Sequence, residues 1–570
     1  MKKIVFFLLS WFLITSCSEE ESQIPQIPME NIEDSFISFL LENFDLDKDG
    51  SISVEEAALV TKMHIDWYTY SIEGIEFFPN LEELICPSLP LETIDISKNT
   101  KLKLLNCSFT RLRSLDVSKN TALKVLNCGY SIIQDLDVSN CHELDTLYCI
   151  QNSDYKLKSI KINPELKVLD IEGHGMALLD FSGNQHLKEL SCGGENLIHL
   201  DISRSELEVL DCVTSRSLSS INIEGCTKLK KLSLLGPMSD NDYLLDLTDS
   251  KHLEYLKIYG PTSIDVSNCP LLKILDCYSL KTPMLDLSNN PALTDVILGY
   301  SVIETINLGG NSQLVNFVMS GSSLSSKLDF SNFKALKSVS LKSINQREWT
   351  PDSREIDLSG CTSLKNVTME YTNIESFNIS GCTAIDTLIC TNNRITELNL
   401  EDCPNLVYLN CANNYGLTEL DVNNNPKLTD LICSSNSLTS LNLKNENLTL
   451  IYCGYNKLTE ITLKNLSKLK NFDCTKNKVT ELDLSGCASL ETLYCSDNRL
   501  TSLNITNSAK LKMLNCRLNK LQPSLDVSKN PALSELNCER NELLLELLVK
   551  RNSSIQTLNK DANTQIVFVD

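Results

Sequence analysis

The 570-residue sequence predicts a mainly β repeat solenoid of about 22 copies, each about 21 residues long. Three observations predict it: a cysteine recurs at one repeat position, a leucine frame surrounds that cysteine, and the frame returns about ten residues later. Apolar residues alternate within each frame, as a half-buried strand requires. Each repeat should therefore hold two short stacked strands joined by tight turns, without a long helix.

The spacing of the recurring cysteines, called the register here, gives the length of the repeat. Where a cysteine is missing, the same spacing lands on an apolar residue: Ile171, Leu234, Ile258, Leu298, Met319, Leu341 and Met369. A position that accepts Cys, Ile, Leu or Met is a buried apolar slot, and this mixture disfavours the alternative of redox or metal chemistry. Fifteen of the 23 cysteines stand in the register: Cys86, Cys107, Cys128, Cys149, Cys192, Cys212, Cys277, Cys390, Cys411, Cys433, Cys453, Cys474, Cys495, Cys516 and Cys538.

The second half of each repeat ends at a position that holds Asn or Cys. Tight turns leave buried backbone groups that need hydrogen-bond partners, and an amide or a thiol can supply them. We expect these side chains to form a ladder along the stack. The asparagines are Asn99, Asn120, Asn184, Asn290, Asn311, Asn425 and Asn530, and the cysteines are Cys141, Cys226, Cys269, Cys361, Cys382, Cys403 and Cys487.

Residues 76–545 resemble the leucine-rich repeat family, whose motif is Leu-x-x-Leu-x-Leu-x-x-Asn/Cys-x-Leu. The copies look most like the short repeats of bacterial surface proteins such as internalins. We place the solenoid at 67–545 and a closing C-terminal cap at 546–570. From Cys390 onward the third residue after each register cysteine is Asn. The repeats from 234 to 369 are irregularly spaced, and whether they carry a binding site is left undecided by the sequence.

The N-terminus reads as a bacterial lipoprotein signal. Two lysines and a short apolar run precede Ile14-Thr15-Ser16-Cys17, which resembles a lipobox. The apolar run is too short to span a membrane. We expect a signal peptide at 1–16, lipidation at Cys17 and a tether at 17–28. The acidic run Glu19–Glu21 resembles the export signal of Bacteroidetes-type surface lipoproteins, which predicts an outer-membrane protein exposed on the cell surface; a solvated acidic tether is the alternative.

Residues 45–56 match the calcium loop of an EF-hand. The predicted Ca²⁺ ligands are Asp45, Asp47, Asp49, Ser51, Ser53 and Glu56, and Gly50 permits the sharp turn. We expect an entering helix before the loop and an exiting helix through Ala57, Val60 and Met63. Only one loop of this kind is present, which disfavours a sensor or a dockerin module. Residues 29–66 are therefore interpreted as a helical cap over the first repeat, with a structural calcium ion.

The charge and the motifs of the sequence exclude some classes of function. The net charge of −23 argues against nucleic acid and against a basic membrane-binding surface. No histidine, serine or glycine motif of catalysis is present with convincing spacing, so the protein is predicted not to be an enzyme.

A binding surface must come from the residues between the apolar positions. The candidate ligand face comprises Tyr148, Tyr255, Tyr408, Tyr452 and Tyr494, with Trp349 in the longest insertion. Tyrosines chosen for strand propensity, and a tryptophan packed over the repeat edge, are the alternatives. The favoured function is a surface-anchored adhesion protein that binds a host or neighbouring-cell protein or a glycan. Carbohydrate capture, or an accessory role to enzymes of nutrient uptake, is the second hypothesis.

Overall fold

The computed structural model describes residues 25–65, 69–151, 155–235, 244–260, 263–331, 333–344 and 355–570. The chain divides into a first unit that ends at His174 and a second unit, Gly175–Asp570. The predicted mainly β repeat solenoid is confirmed: the structure has about 23 turns and very little helix. Within the described residues, no helix is long and apolar enough to cross a membrane.

The first unit opens with two helices, α1 (Asp34–Phe44) and α2 (Val54–Leu59), and a 3₁₀ turn at Ile75–Phe77. Ser53 caps α2 through a reciprocal pair of hydrogen bonds with Glu56. Phe36 and Leu40 are fully buried on the inner side of α1. Phe44 lies 6.2 Å from Phe78, measured between ring centroids. The helices are therefore packed on the start of the repeats.

The exiting helix is shorter than predicted. It ends at Leu59, and Met63 lies in a strand, Lys62–His64, that pairs in parallel with Glu83–Ile85. The reason is the open edge of the first repeat: Thr61 O accepts from the Glu82 amide at 2.7 Å, and the Ile65 amide donates to Ile85 O at 2.8 Å. The segment predicted as a purely helical cap thus contributes its own turn to the solenoid.

The main sheet of the first unit is parallel, and each strand pairs with the next in register. Asp135–Asp137 and Ser159–Lys161 form a separate parallel pair from the second halves of two repeats. The main strands are Lys62–His64, Glu83–Ile85, Leu104–Asn106, Val125–Asn127, Thr146–Tyr148 and Val168–Asp170.

The second unit continues the same parallel pattern, with five-residue strands in the irregularly spaced repeats. The sheet adds one strand, Thr557–Asn559, beyond the last predicted repeat. Its main strands are Glu189–Ser191, Val209–Cys212, Lys231–Leu235, Tyr255–Tyr259, Ile274–Tyr278, Asp295–Gly299, Asn316–Ser320, Ser338–Lys342, Asn366–Glu370, Thr387–Ile389, Tyr408–Asn410, Asp430–Ile432, Leu450–Tyr452, Asn471–Asp473, Thr492–Tyr494, Met513–Asn515, Glu535–Asn537 and Thr557–Asn559.

In the second unit, the second half of the repeat forms a short strand in some of the repeats. The last of them, Gln565–Val569, falls in the predicted C-terminal cap and leaves Ile566 and Phe568 exposed. These strands are Leu178–Asp180, His199–Asp201, Ser220–Asn222, Leu244–Leu245, Ser263–Ile264, Lys281–Asp286, Val302–Asn307, Ser323–Leu324, Leu328–Asp329, Glu355–Asp357, Ser376–Asn378, Ser440–Asn442, Glu460–Thr462, Ser524–Asp526, Glu546–Lys550 and Gln565–Val569.

The register cysteines are core residues, as the sequence predicts. Every cysteine of the described residues is buried and free of a disulfide. Burial raises the pKa of Cys86 and of Cys411 to about 12, so these thiols stay protonated at neutral pH. A protonated, buried thiol is a poor nucleophile and a poor metal ligand.

The asparagines that follow the register cysteines use both their donors and their acceptor. Asn456 donates to Cys433 O at 2.9 Å and to Cys453 O at 3.1 Å, and its Oδ1 accepts from the Leu438 amide at 3.0 Å. The same arrangement recurs at Asn477. Each such amide therefore joins two successive repeats through three bonds to backbone.

Most asparagines in the ladder of the second halves use their donors alone. Asn425 donates to Leu400 O at 3.0 Å and to Cys403 O at 2.8 Å, whereas its Oδ1 has no partner among the described residues. A turn cysteine fills the same role with one donor, since Cys382 Sγ donates to Leu358 O at 3.0 Å. This explains why Asn and Cys alternate at this turn. Asn163 and Asn445 belong to the same column, although the sequence analysis did not assign them.

The two ladders should respond differently to cysteine. We expect Asn425→Cys to leave the stability nearly unchanged, because a thiol already replaces Asn in this column. Asn456→Cys should lower the free energy of unfolding by about 1–3 kcal/mol, because the Leu438 amide loses its acceptor inside the protein. Urea unfolding followed by circular dichroism measures both. Equal losses in the two variants would contradict the assignment of the two ladders.

Candidate functional site

The predicted calcium ligands lie together on the loop between α1 and α2. Ligand oxygens of Asp45, Asp47 and Asp49 all lie within 4.8 Å of one another, and this is the one such group of three among the described residues. Gly50 has a φ of 86°, which the sharp turn of the loop requires. The Asp49 amide donates to Asp47 Oδ1 at 3.1 Å, which holds the loop closed.

Glu56 reaches the same loop from the first turn of α2. Its Oε1 accepts from the Leu46 amide at 2.7 Å, and its Oε2 accepts from the Ser53 amide at 2.9 Å. The pKa of Glu56 is lowered, first by the Ser53 amide and against the effect of burial. The pKa of Asp47 is raised: the Asp49 amide lowers it, but burial and the charges of the neighbouring carboxylates outweigh that bond. Crowded carboxylates of this kind fit a hard divalent cation such as Ca²⁺.

The two serines of the motif have local roles. Ser51 Oγ donates to Asp49 Oδ1 at 2.7 Å, and Ser53 Oγ donates to Glu56 Oε2 at 2.9 Å. Both therefore orient predicted carboxylate ligands.

A segment that the sequence analysis placed in the tether pairs with the calcium loop. The Ile27 amide donates to Ile52 O at 2.9 Å, and the Val54 amide donates to Pro25 O at 2.8 Å. The two backbones run antiparallel here, and both isoleucines are buried. Gln26 Nε2 also donates to Asp49 Oδ2 at 3.4 Å. The loop thus has a strand partner, although the chain carries only one EF-hand motif. The alternation of Ile24, Pro25, Gln26 and Ile27 is too short a pattern to reveal this partner.

The predicted tyrosines stand at outward positions of main-sheet strands. Tyr452 and Tyr494 occupy the same register position, with Asp473 between them. Tyr255 and Tyr408 open their strands and are half-buried. Tyr148 belongs to the first unit. Trp349 and the lipidation residue Cys17 lie outside the described residues.

Two shallow grooves include predicted tyrosines, one in each unit. In the second unit, Tyr494 lines a groove with Met513 and Glu535, and its hydroxyl donates to Met513 Sδ at 3.9 Å. In the first unit, Tyr148 lines a groove with Phe109 and Tyr130, whose rings are stacked at 4.4 Å and 9°. The stacked pair forms a flat aromatic platform.

A row of aromatic residues two positions after the register residue was missed by the sequence analysis. Tyr300 and Tyr371 are 71% and 59% exposed, and their φ values are 49° and 55°. Phe109, Tyr130 and Tyr455 share this position and its left-handed backbone. The repeat imposes this left-handed turn on whichever residue stands there, and because bulky residues avoid positive φ, an aromatic residue at this position is less favourable than Asn. The sequence could have revealed this row, because each of its aromatic residues stands two positions after a register residue.

A polar and aromatic cluster surrounds Tyr255 on the outer strand face of the second unit. The strands Tyr255–Tyr259 and Ile274–Tyr278 pair so that Lys257 lies opposite Asp276 and Tyr259 opposite Tyr278. The rings of Tyr259 and Tyr278 are stacked at 4.5 Å and 7°. Gly299 stands next in this column, and a Cβ there would overlap the Tyr278 ring. The glycine therefore makes room for the aromatic stack.

The repeat geometry in both units is that of a leucine-rich-repeat solenoid. No protein-family model matches the chain, and no curated protein matches it. Among solved structures, the functional domain of InlJ from Listeria monocytogenes, which includes a cysteine ladder, is 21% identical over 85% of this chain and 80% of that chain, with a TM-score of 0.31. YopM from Yersinia enterocolitica WA-314 is 18% identical over 88% and 91%, with a TM-score of 0.40. The plant peptide hormone receptor RGFR1, solved with RGF2, is 18% identical over 86% and 91%, with a TM-score of 0.46.

The strain at the aromatic row can be measured. Asn392 and Asn413 occupy the same turn position as Tyr371 in the next two repeats, also at positive φ. We expect Tyr371→Asn to raise the free energy of unfolding by about 0.5–1 kcal/mol, because Asn tolerates this conformation better than Tyr. Asn413→Tyr serves as the reverse control and should lower it by a similar amount. If Tyr371→Asn is destabilising, the tyrosine has a structural role and the strain argument is wrong.

Proposed function

We propose that this chain is a non-catalytic binding protein that contacts a protein ligand through the outward positions of its main-sheet strands. The observation that carries the proposal is a set of aromatic residues on a regular scaffold, half-buried at outward strand positions such as Tyr494 and exposed at the left-handed turn position such as Tyr371. Aromatic side chains dominate the energetics of protein interfaces because they bury large areas with little loss of rotamer entropy. The core fills the inward positions and the ladders hold the turn asparagines, which leaves the outward strand positions and the left-handed turn position open to a ligand.

The proposal places the protein at the surface of a bacterial cell. The support is the sequence of the first residues: the apolar run, the lipobox-like Ile14–Cys17 and the acidic Glu19–Glu21. Lipidation at Cys17 would hold the chain to the outer membrane, and the partner would then be a host or neighbouring-cell protein.

A glycan ligand is the second candidate, favoured by the aromatic platform of the first unit. The stacked rings of Phe109 and Tyr130 lie beside Asn127 and Asp170, which line the same groove. Flat apolar ring faces next to amide and carboxylate groups suit a sugar, which has both an apolar face and hydroxyl groups. Such a site would serve carbohydrate capture or an accessory role in nutrient uptake.

Binding to arrays of host proteins and glycans tests the proposal. We expect the purified protein from residue 22 onward to bind discrete proteins, and Tyr452→Ala with Tyr494→Ala to weaken that binding by about tenfold or more. Val302→Ala, an exposed apolar residue on a second-half strand, is the matched control and should leave binding unchanged. Hits confined to glycans and lost in Phe109→Ala with Tyr130→Ala would favour the second candidate. No hit on either array, or hits insensitive to both sets of variants, would contradict the proposed surface.

The proposal also includes a structural calcium ion in the N-terminal cap. Asp45, Asp47, Asp49 and Glu56 would hold it with the Ser51 carbonyl. The ion would supply positive charge where the carboxylates crowd one another. Because the loop is continuous with α2 and the first strand, calcium should stabilise the first unit as a whole.

Chelation tests the calcium site. We expect EGTA to lower the melting temperature by several degrees relative to excess Ca²⁺, equivalent to about 2–3 kcal/mol at a hundredfold excess over Kd. The double variant Asp47→Asn, Asp49→Asn should lose this difference while it remains folded in both buffers. Differential scanning calorimetry and isothermal titration with CaCl₂ measure the two effects. Identical melting in EGTA and Ca²⁺, together with no heat of binding, would rule the site out.

A further inference from the structure

Asp276 is an unusual residue on the outer strand face of the second unit. It lies between Leu275 and Cys277, which point into the core, so its side chain belongs to the outward set. Nevertheless the residue is only 8% exposed, and its side chain 12%. Its Oδ1 has no hydrogen-bond partner among the described residues. A buried carboxylate without a donor is destabilising and calls for a functional explanation.

The one cation beside Asp276 does not satisfy it. Lys257 Nζ lies 3.7 Å from Asp276 Oδ2, which is too far for a hydrogen bond. The ammonium group also lies 5.8 Å from the centroid of the Tyr259 ring. The Lys257 side chain is 32% exposed, so it can turn away into solvent. Lys257 therefore covers the carboxylate without filling its hydrogen-bonding capacity.

Aromatic rings flank this carboxylate along the two paired strands. Tyr259 and Tyr278 are stacked at one end of the two strands, and Tyr255 stands at the other end beside Lys231, whose Nζ lies 5.7 Å from the ring centroid. Burial raises the pKa of Asp276, against the opposing effect of Lys257. Low exposure strengthens the attraction between a carboxylate and an incoming cation, and tyrosine faces attract cations as well.

We propose that this cluster is a docking site for an arginine side chain of a basic protein partner, which displaces Lys257 from Asp276. A guanidinium group is planar, so it can lie against a tyrosine ring while its edge donates two N–H groups to a carboxylate. The net charge of −23 also favours a basic partner. This inference rests on the proposed function and names the chemistry of its ligand.

Blocked six-residue peptides of alternating glycine and arginine, lysine or citrulline test the site by isothermal titration at low ionic strength. The arginine peptide should bind more tightly than the lysine peptide, and the citrulline peptide should not bind. Asp276→Asn should weaken arginine binding by about tenfold or more, because the variant loses the buried charge. Lys257→Ala should tighten it, because the competing cation is gone. Glu460→Gln, an equal change of charge at an exposed residue of a second-half strand, is the control and should match the wild type.

Thermal melting of the free variants separates function from structure. We expect Asp276→Asn to melt at or above the wild-type temperature at pH 7, since the variant removes an unsatisfied buried charge. The raised pKa of Asp276 leads to the same expectation. The folded state favours the protonated carboxyl, so the wild type loses stability as the pH rises above the pKa of Asp276 in the unfolded chain. The variant should therefore gain most near neutral pH.

Several outcomes would overturn the inference. They are equal binding of the arginine and lysine peptides, no binding of the arginine peptide, no difference between Asp276→Asn and Glu460→Gln, and a lower melting temperature for Asp276→Asn. The proposed function has a separate readout. A protein ligand found on the array that binds Asp276→Asn and the wild type equally would leave the binding face in place and remove only the arginine site.

Discussion

The fold depends on how each repeat hydrogen-bonds the backbone of its turns. A 21-residue coil must turn sharply at both ends of a three- to five-residue strand, and those turns bring carbonyl groups into the interior. Asn456 and its equivalents bond both to their own turn and to the turn before, so each repeat is tied to its neighbour. The register cysteines pack in the interior between the turns, in a slot that Ile, Leu or Met fills in other repeats.

This constraint limits where the protein can carry a function. Core and turn positions of each repeat are fixed by packing and by hydrogen bonding, which leaves the outward strand positions, the left-handed turn position and the cap. Each of these three places holds an energetically unfavourable feature: Asp276 Oδ1 is buried without a donor, Tyr371 is held at positive φ, and Asp47 is crowded by like charges. A scaffold that gains stability from every repeat can tolerate such local destabilisation at a binding surface.

Much of the fold could be predicted because the regular spacing of the cysteines gives the length and the number of the repeats. The strand Leu104–Asn106 and its equivalents precede the register cysteine as the leucine frame predicts. The turn at Lys62–His64 was missed, although one step back from Cys86 reaches the apolar Ile65. The turn at Thr557–Asn559 carries Lys560 where the register expects an apolar residue, so no pattern marked it. The three-residue spacing of Ala57, Val60 and Met63 fits a helix, but Met63 pairs with the first repeat as a strand because the open backbone of Glu83–Ile85 is beside it.

The candidate sites also differ in how far the sequence alone predicts them. The predicted calcium loop is a local motif, so its proposed ligands can be read directly from residues 45–56. The surroundings of Asp276 could not be read in this way, because Lys257 and Tyr259 stand on the preceding repeat and come next to Asp276 only through the pairing of the two strands. The pairing of Ile27 with Ile52 joins residues 25 positions apart through backbone bonds alone, and side-chain patterns carry no record of such bonds.

That pairing has a mechanical consequence. Any pulling force on the chain before Pro25 enters the folded first unit at the calcium loop, because Pro25 and Ile27 are bonded to Val54 and Ile52. The two backbones run antiparallel and two hydrogen bonds join them, so a load on Pro25 passes to the loop and to the start of α2. A filled calcium loop would stiffen the surface to which these bonds attach. In the calcium-loaded protein proposed above, this pairing would thus be strongest where the ion is supplied.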